Sequence, residues 1–200
     1  MNSLIQLPKP LILASKSPRR AQLLQQVGFE FRVIASSVSE QIDNQRTPEE
    51  QVLELSLAKA KEVSPQIDRG IIIAADTIVV LNKKVLGKPA DHDEAFAMLR
   101  YLSGQTHQVY TGFALVDVPS KRYFTDFERT DVTFRHLSDE EIELYIRLDH
   151  PFDKAGAYGI QDRSALFVER VNGCYYNVVG FPLTRFYLQL RAFLQLLKIN

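Results

Sequence analysis

The chain has a single cysteine, no net charge and no long apolar run, and each shortage removes a class of protein. Cys174 cannot form an intramolecular disulfide, which excludes the disulfide-stapled secreted scaffolds and fits a reducing, cytoplasmic compartment. On its own it reads as a small apolar core residue. The 24 basic and 24 acidic residues cancel, so the long-range field that recruits nucleic acid or anionic lipid is missing. That balance still admits a small cationic cluster aimed at one phosphate-bearing ligand. No stretch approaches the roughly 18 to 20 apolar residues of a membrane span. Met1 to Pro10 is polar at Asn2, Ser3 and Gln6, and the apolar run that follows, Leu11 to Ala14, is too short for a signal-peptide core. Neither a nucleic-acid partner nor a membrane is expected. His92, His107, His136 and His150 show no paired metal-ligand spacing, which argues against zinc. The chain also lacks a G-x-S-x-G elbow, and Gly87-Lys88 lacks the glycine-rich spacing of a Walker A loop.

What is present suffices for a globular core. A folded chain of 200 residues buries roughly 70% of its unfolded surface without metal or disulfide staples. No linker, repeat or low-complexity tract divides it, so residues 1–200 read as one domain, open to a division into two lobes. Leu11 to Ala14 predicts a buried strand, and Ser17-Pro18 a helix start, with Gly28 as its stop. A strand over Phe29 to Ala35 and a polar loop through Ser39, Glu40 and Asp43 follow. Thr47-x-x-Glu50 with Pro48 predicts a capped helix that ends at Ser64-Pro65. Gly70 to Ala75 is a nearly unbroken apolar run, as in a strand covered on both faces, and continues past Asp76 to Leu81. A turn at Asn82 to Lys84 leads into Val85-Leu86. Asp91-x-x-Glu94 and Ser138-x-x-Glu141 open two more helices, and between them His107–Val118 and Arg122–Phe134 read as a long antiparallel pair. Strands are also expected at Ala165–Val171 and Tyr175–Val179, and Pro182 opens a last amphipathic helix. Strands and helices alternate, which predicts an α/β fold with a mixed sheet in three layers.

Three segments carry the chemistry. Ser15-Lys16-Ser17-Pro18-Arg19-Arg20 lies at a strand-to-helix turn, where free N–H groups and the helix dipole attract an anion. Arginine opposes the dipole in a first helical turn, a cost that a bound anion explains; the alternative is arginines reaching carboxylates elsewhere. Asp76 interrupts an apolar run and is expensive to bury unless paired or metal-bound. Asp76 and Thr77 then mark a strand breaking at the edge of a site, or Asp76 is a structural residue satisfied in a bulge. Pro151 to Gln161 combines glycines, the Asp153-Lys154 pair and Tyr158. Such a loop can bring backbone and the Gln161 amide to a flat ligand, or it is a structural turn. Lys88 follows a rigid turn, and Lys59 reads first as a solvated helix lysine. Together these describe a site for a phosphorylated ligand and a divalent cation.

The segments Ser15–Arg20, Ala75–Thr77, Gly87–Pro89, Leu102–His107 and Asp153–Gln161 occur in the order and spacing of the Maf family, which the chain resembles from about Leu11 to the final helix. The resemblance implies a twisted mixed sheet flanked by helices, a fold related to the inosine triphosphate pyrophosphatases with a cleft between two lobes. It implies hydrolysis of a nucleoside triphosphate to monophosphate and pyrophosphate with Mg or Mn. The Asp153–Gln161 segment is similar to the branch acting on dTTP and UTP, extending to modified pyrimidine nucleotides; the sister branch acts on 7-methyl-GTP. A nucleotide- or nucleic-acid-binding regulator of cell division is the non-catalytic alternative, and homodimers are common in the family. By the same resemblance Asp76 is the proton acceptor, and Glu40, Lys59 and Lys88 are catalytic and phosphate-handling, with Glu40 and Asp76 on the metal. Arg19, Thr77 and Gln161 bear on substrate choice, while Ser15, Ser17 and Arg20 complete the substrate-binding turn. The family's acidic residue before Glu40 is Ser39 here.

Overall fold

A computed structural model describes residues 4, 5, 7–43 and 45–198. Met1, Asn2, Ser3 and Gln6, part of the polar N-terminus, lie outside them. The seven-stranded open sheet runs β2 (Arg32–Val33), β1 (Leu11–Leu13), β3 (Gly70–Leu81), β5 (Thr106–Val118), β6 (Tyr123–Phe134) and β7 (Val168–Asn172), with β4 (Lys84–Leu86) also paired to β3. β1 is parallel to β2 and β3, and the remaining pairs are antiparallel. The sheet is mixed, as expected.

Three layers follow from the apolar pattern. Along β3 the side chains alternate, so Ile72 and Ala74 pack with Ala60 and Val63 of α2 (Pro48–Val63). Ile71, Ile73 and Ala75 face the opposite layer. That layer holds α1 (Pro18–Gln26), α3 (His92–Leu102), α4 (Asp139–Asp149), α5 (Tyr175–Val179) and α6 (Leu183–Lys198). The predicted caps form at Thr47, Asp91 and Ser138, each side chain accepting a backbone N–H three residues on. Among the described residues no helix is long and apolar enough to cross a membrane.

One contact fixes how close α2 lies. A Cβ on Gly112 of β5 would stand 2.5 Å from the backbone oxygen of Val52. Backbone cannot rotate away, so α2 approaches this closely only over glycine. Gly112→Ala is expected to cost about 1–3 kcal/mol, as overpacking of a tight core does; an unchanged denaturation midpoint would refute the close approach.

The open edge of β3 decides where a ligand can enter. β5 covers one edge of β3 from Gly70 to Val80, which forces β1 and β4 to share the other. β1 pairs with Ile71–Ile73 and β4 with Val79–Leu81. Over 74–78 no strand pairs with this edge among the described residues, and Asp76 and Thr77 lie there.

Several expectations are corrected. Asp76 and Thr77 do not break the strand: they pair in register with Gly112 and Thr111, and it is the neighbouring strand that is interrupted. The strand expected over Phe29–Ala35 shrinks to Arg32–Val33, because three-residue β1 offers only two partners. Phe29 instead enters the core. Residues Arg163–Phe167 form a 3-10 turn before β7 rather than the start of a strand. Tyr175–Val179 is helical, not extended. Gly180, at φ 117°, closes that turn, and the Asn177 side chain anchors it by donating to Val109 O and Thr130 Oγ1. These contacts override the local β preference of tyrosine and valine. Cys174, just before this helix, is half-buried rather than a core residue.

Candidate functional site

The gap in the sheet is flanked by two loops and roofed from both faces. β1 leads into Ser15–Ser17 and the start of α1 on one side, while β4 leads into Gly87 and Lys88 on the other. The Gly156 N–H donates to Gly87 O at 2.9 Å, tying the Pro151–Gln161 segment to the second loop.

Asp76 and Thr77 are neighbours in a strand, so they point to opposite faces. Asp76 faces α2, where Lys59 Nζ donates to its Oδ1 at 2.6 Å and to Glu40 Oε1 at 2.5 Å. Lys88 Nζ donates to Glu40 Oε2. Lys59 and Asp76 are only 5% and 4% exposed, so the solvated reading of Lys59 is corrected: its charge is buried against two carboxylates. A buried ammonium or carboxylate alone would cost several kcal/mol, and here each partner offsets part of the other's penalty. Burial would raise the Glu40 carboxyl, but Lys59 and Lys88 outweigh it and hold it down at about 2. Glu40 is therefore anionic throughout the working range. Asp76 Oδ2 meets no hydrogen-bond partner among the described residues.

Thr77 faces the helical layer, where Arg20 is buried. Arg20 Nε donates to Gly180 O at 2.9 Å, Nη1 to Ser15 Oγ at 3.1 Å and Nη2 to Thr77 Oγ1 at 3.0 Å. Burial pushes the Arg20 guanidinium below its ordinary value, opposed by the nearby Asp76 and Glu40 charges. Arg20 thus braces three walls of the cleft: the α1 turn, β3 and the end of α5. Arg19 is half-buried and pairs with Asp153 at 3.2 Å. Ser17 caps α1 without a side-chain bond, and no acidic residue stands in the first turn. The turn keeps its positive end available to an anion.

The cleft divides into two contiguous hollows that share Ser17, Arg19, Arg20, Glu40, Lys88 and Asp153. The cationic one continues to Ser15, Lys16 and Lys59. The other is walled by Val79, Val109, Tyr158, Ile160 and Val178, with Thr77 and Gln161 supplying polar groups. Every site residue named from sequence lines one of them: Ser15, Ser17, Arg19, Arg20, Glu40, Lys59, Asp76, Thr77, Lys88 and Gln161. Missed by sequence reasoning were Val109, Thr111, Asn177 and Val178–Gly180. No local motif marks them; the β3–β5 register and the α5 turn bring them in.

Behind the second hollow His107 is fully buried, its Nε2 2.8 Å from Tyr158 Oη. Burial lowers the His107 imidazole to about 4, with Asp131 opposing. The unfolded chain then takes up a proton near pH 6.5 that the folded chain refuses until about pH 4. Stability is complete above pH 6.5 and falls by about 3 kcal/mol toward pH 4 from this group. His107→Phe is expected to flatten that part of the pH–stability curve. An unchanged curve would mean His107 does not titrate this way.

Asp76 and Glu40 converge on the Lys59 ammonium, and of their four oxygens only Asp76 Oδ2 has no lysine partner. Mg takes one or two protein carboxylates and completes its shell with phosphates and water, so this donor set fits Mg or Mn. Among the described residues no third His, Cys, Asp or Glu joins it.

A family described as Maf-like protein matches residues 10–193. A protein of Caldicellulosiruptor bescii named dTTP/UTP pyrophosphatase is 49% identical over 187 residues, 92% of this chain and 94% of its own length. Its namesake in Carboxydothermus hydrogenoformans is 51% identical over 181 residues, 90% and 97% of the two chains. A third, from Alkaliphilus oremlandii, is 50% identical over 184 residues, 92% and 95%.

Proposed function

This chain belongs to the Maf family, and from that premise we propose that it is a nucleoside triphosphate pyrophosphatase that hydrolyses dTTP and UTP to the monophosphate and pyrophosphate. The observation that carries the reading is the Asp76–Lys59–Glu40 cluster in the gap of the sheet, with a cationic turn on one side and an apolar-walled hollow ending at Gln161 on the other. The triphosphate lies along the α1 turn, where N–H groups, Ser17, Arg19 and Lys88 offset its charge. The base enters the second hollow between Val79 and Tyr158, and Gln161 meets its polar edge.

Asp76 takes a proton from a water molecule as the water oxygen attacks the α-phosphorus. The bond from that phosphorus to the β-phosphate oxygen breaks, and pyrophosphate leaves with the electron pair. Asp76 Oδ2 is the free oxygen for the proton, since Oδ1 is held by Lys59. Lys59 orients Asp76 and Glu40 toward one point, and Lys88 fixes Glu40 from outside. Asp76 and Glu40 would hold a divalent cation, which would supply charge neutralisation on the phosphates. Ser39 adds no carboxylate, so Glu40 carries that side alone. The single cysteine supports a cytoplasmic setting.

The test is pyrophosphate release from a panel of dTTP, UTP, CTP, 7-methyl-GTP and purine triphosphates, with and without Mg. Preference for dTTP and UTP is expected, with turnover lost in chelator. Turnover of 7-methyl-GTP alone, or of no nucleotide, would overturn the reading.

A further inference from the structure

The hydroxyl of Thr77 has a single orientation left to it. Thr111 stands opposite Thr77 in the β3–β5 ladder and is fully buried. Its Oγ1 lies 3.0 Å from the backbone oxygen of Asn177 and 2.9 Å from Thr77 Oγ1. A carbonyl cannot donate, so the one Thr111 proton goes to Asn177 O. Were it turned to Thr77 instead, two oxygens would face each other across 3.0 Å and one buried bond would be lost. The Thr77 proton is therefore given to Thr111. Arg20 Nη2 donates to Thr77 Oγ1 at 3.0 Å, and a guanidinium cannot accept. One lone pair is all that Thr77 has left for a ligand. The carbonyl that anchors the relay cannot withdraw, because the Asn177 side chain is fixed to Val109 O and Thr130 Oγ1, each at 3.0 Å.

We propose that Thr111 sets the polarity of the base hollow: it holds Thr77 as an acceptor only, so the hollow takes a base that presents a ring N–H there. Thymine and uracil carry such an N–H. Cytosine has a lone pair on the corresponding ring nitrogen and meets the Thr77 lone pair with repulsion. This inference rests on the dTTP/UTP reading and deepens it. Thr111 touches no ligand, so it is a positioning residue acting through Thr77, which is half-buried and lines the hollow.

The experiment compares kcat/KM for UTP and CTP in the wild type, Thr111→Val and Thr111→Ser. Valine keeps the shape and frees the Thr77 proton to turn toward the ligand. The UTP-to-CTP preference is expected to fall about tenfold, the worth of one neutral hydrogen bond exchanged for another. Serine, which retains the hydroxyl, is expected to keep the wild-type preference. Equal losses for UTP and CTP in Thr111→Val would overturn the proposal, since a structural defect spares no nucleotide. If Thr111→Val does not fold, 3-methyluridine triphosphate decides on the wild type: it lacks the ring N–H, and turnover equal to UTP would overturn the polarity. A wild type without preference for UTP over purine triphosphates would refute the dTTP/UTP reading itself. Retained preference with an unmoved UTP-to-CTP ratio would refute only the role of Thr111.

Discussion

Asp76→Asn is expected to lower kcat for pyrophosphate release from dTTP by about 10³-fold while leaving the chain folded. General base catalysis by a positioned carboxylate is worth roughly 10²–10⁴-fold, and an amide has no comparable basicity. The replacement is nearly isosteric, and the amide oxygen can still accept the Lys59 Nζ hydrogen bond now made at 2.6 Å. Lys59 also keeps its bond to Glu40, so the buried ammonium does not lose all of its compensation. The loss should fall on kcat more than on KM, because the proposed reading places the phosphates on the α1 turn and the lysines rather than on Asp76. A folded variant with a near-wild-type rate would remove Asp76 from the reaction.

Lys59→Met is expected to have the largest effect on stability. It leaves the Asp76 carboxylate, 4% exposed, without its cation, and removing one partner of a buried pair costs roughly 3–5 kcal/mol. Glu40 keeps Lys88 and more contact with solvent, so Asp76 carries most of the loss. The cause can be isolated by a double-mutant cycle in urea denaturation. Lys59→Met combined with Asp76→Asn should be more stable than Lys59→Met alone, because the second change removes the stranded charge. If the double variant is less stable by the sum of the two single losses, the pair is not coupled and the geometry of Lys59 has been misread. Both single variants should lose activity, but only Lys59→Met should lose stability on this scale.

The two predictions also show which features were legible in the chain. Thr47-x-x-Glu50 and Ser138-x-x-Glu141 closed as capping boxes because a cap is made within four consecutive residues. The apolar run of β3 read correctly as a strand covered on both faces. Asp76 stood out for the same reason: a charge inside such a run must have a partner. Its partner did not stand out. Lys59 on a helix looks like any solvated lysine until α2 is laid over β3, and that approach depends on Gly112. Tyr175–Val179 failed in the other direction. Its β-rich composition reads as a strand, whereas the Asn177 anchor and the left-handed Gly180 wind it into a turn. Gly180 is thereby placed where its carbonyl receives Arg20.

By itself the sequence determined the fold class, the starts of five of the six helices and the segments that line the cleft. Periodicity, capping and the cost of an isolated charge are local properties, and a chain shows them before it folds. Tertiary structure alone decided that β1 and β4 share one edge of β3 and leave 74–78 open. It also decided that Lys59 neutralises two carboxylates and that the Thr77 hydroxyl is polarised by Thr111. Each depends on register between segments tens of residues apart, and on which face of a strand a side chain takes once that register is set.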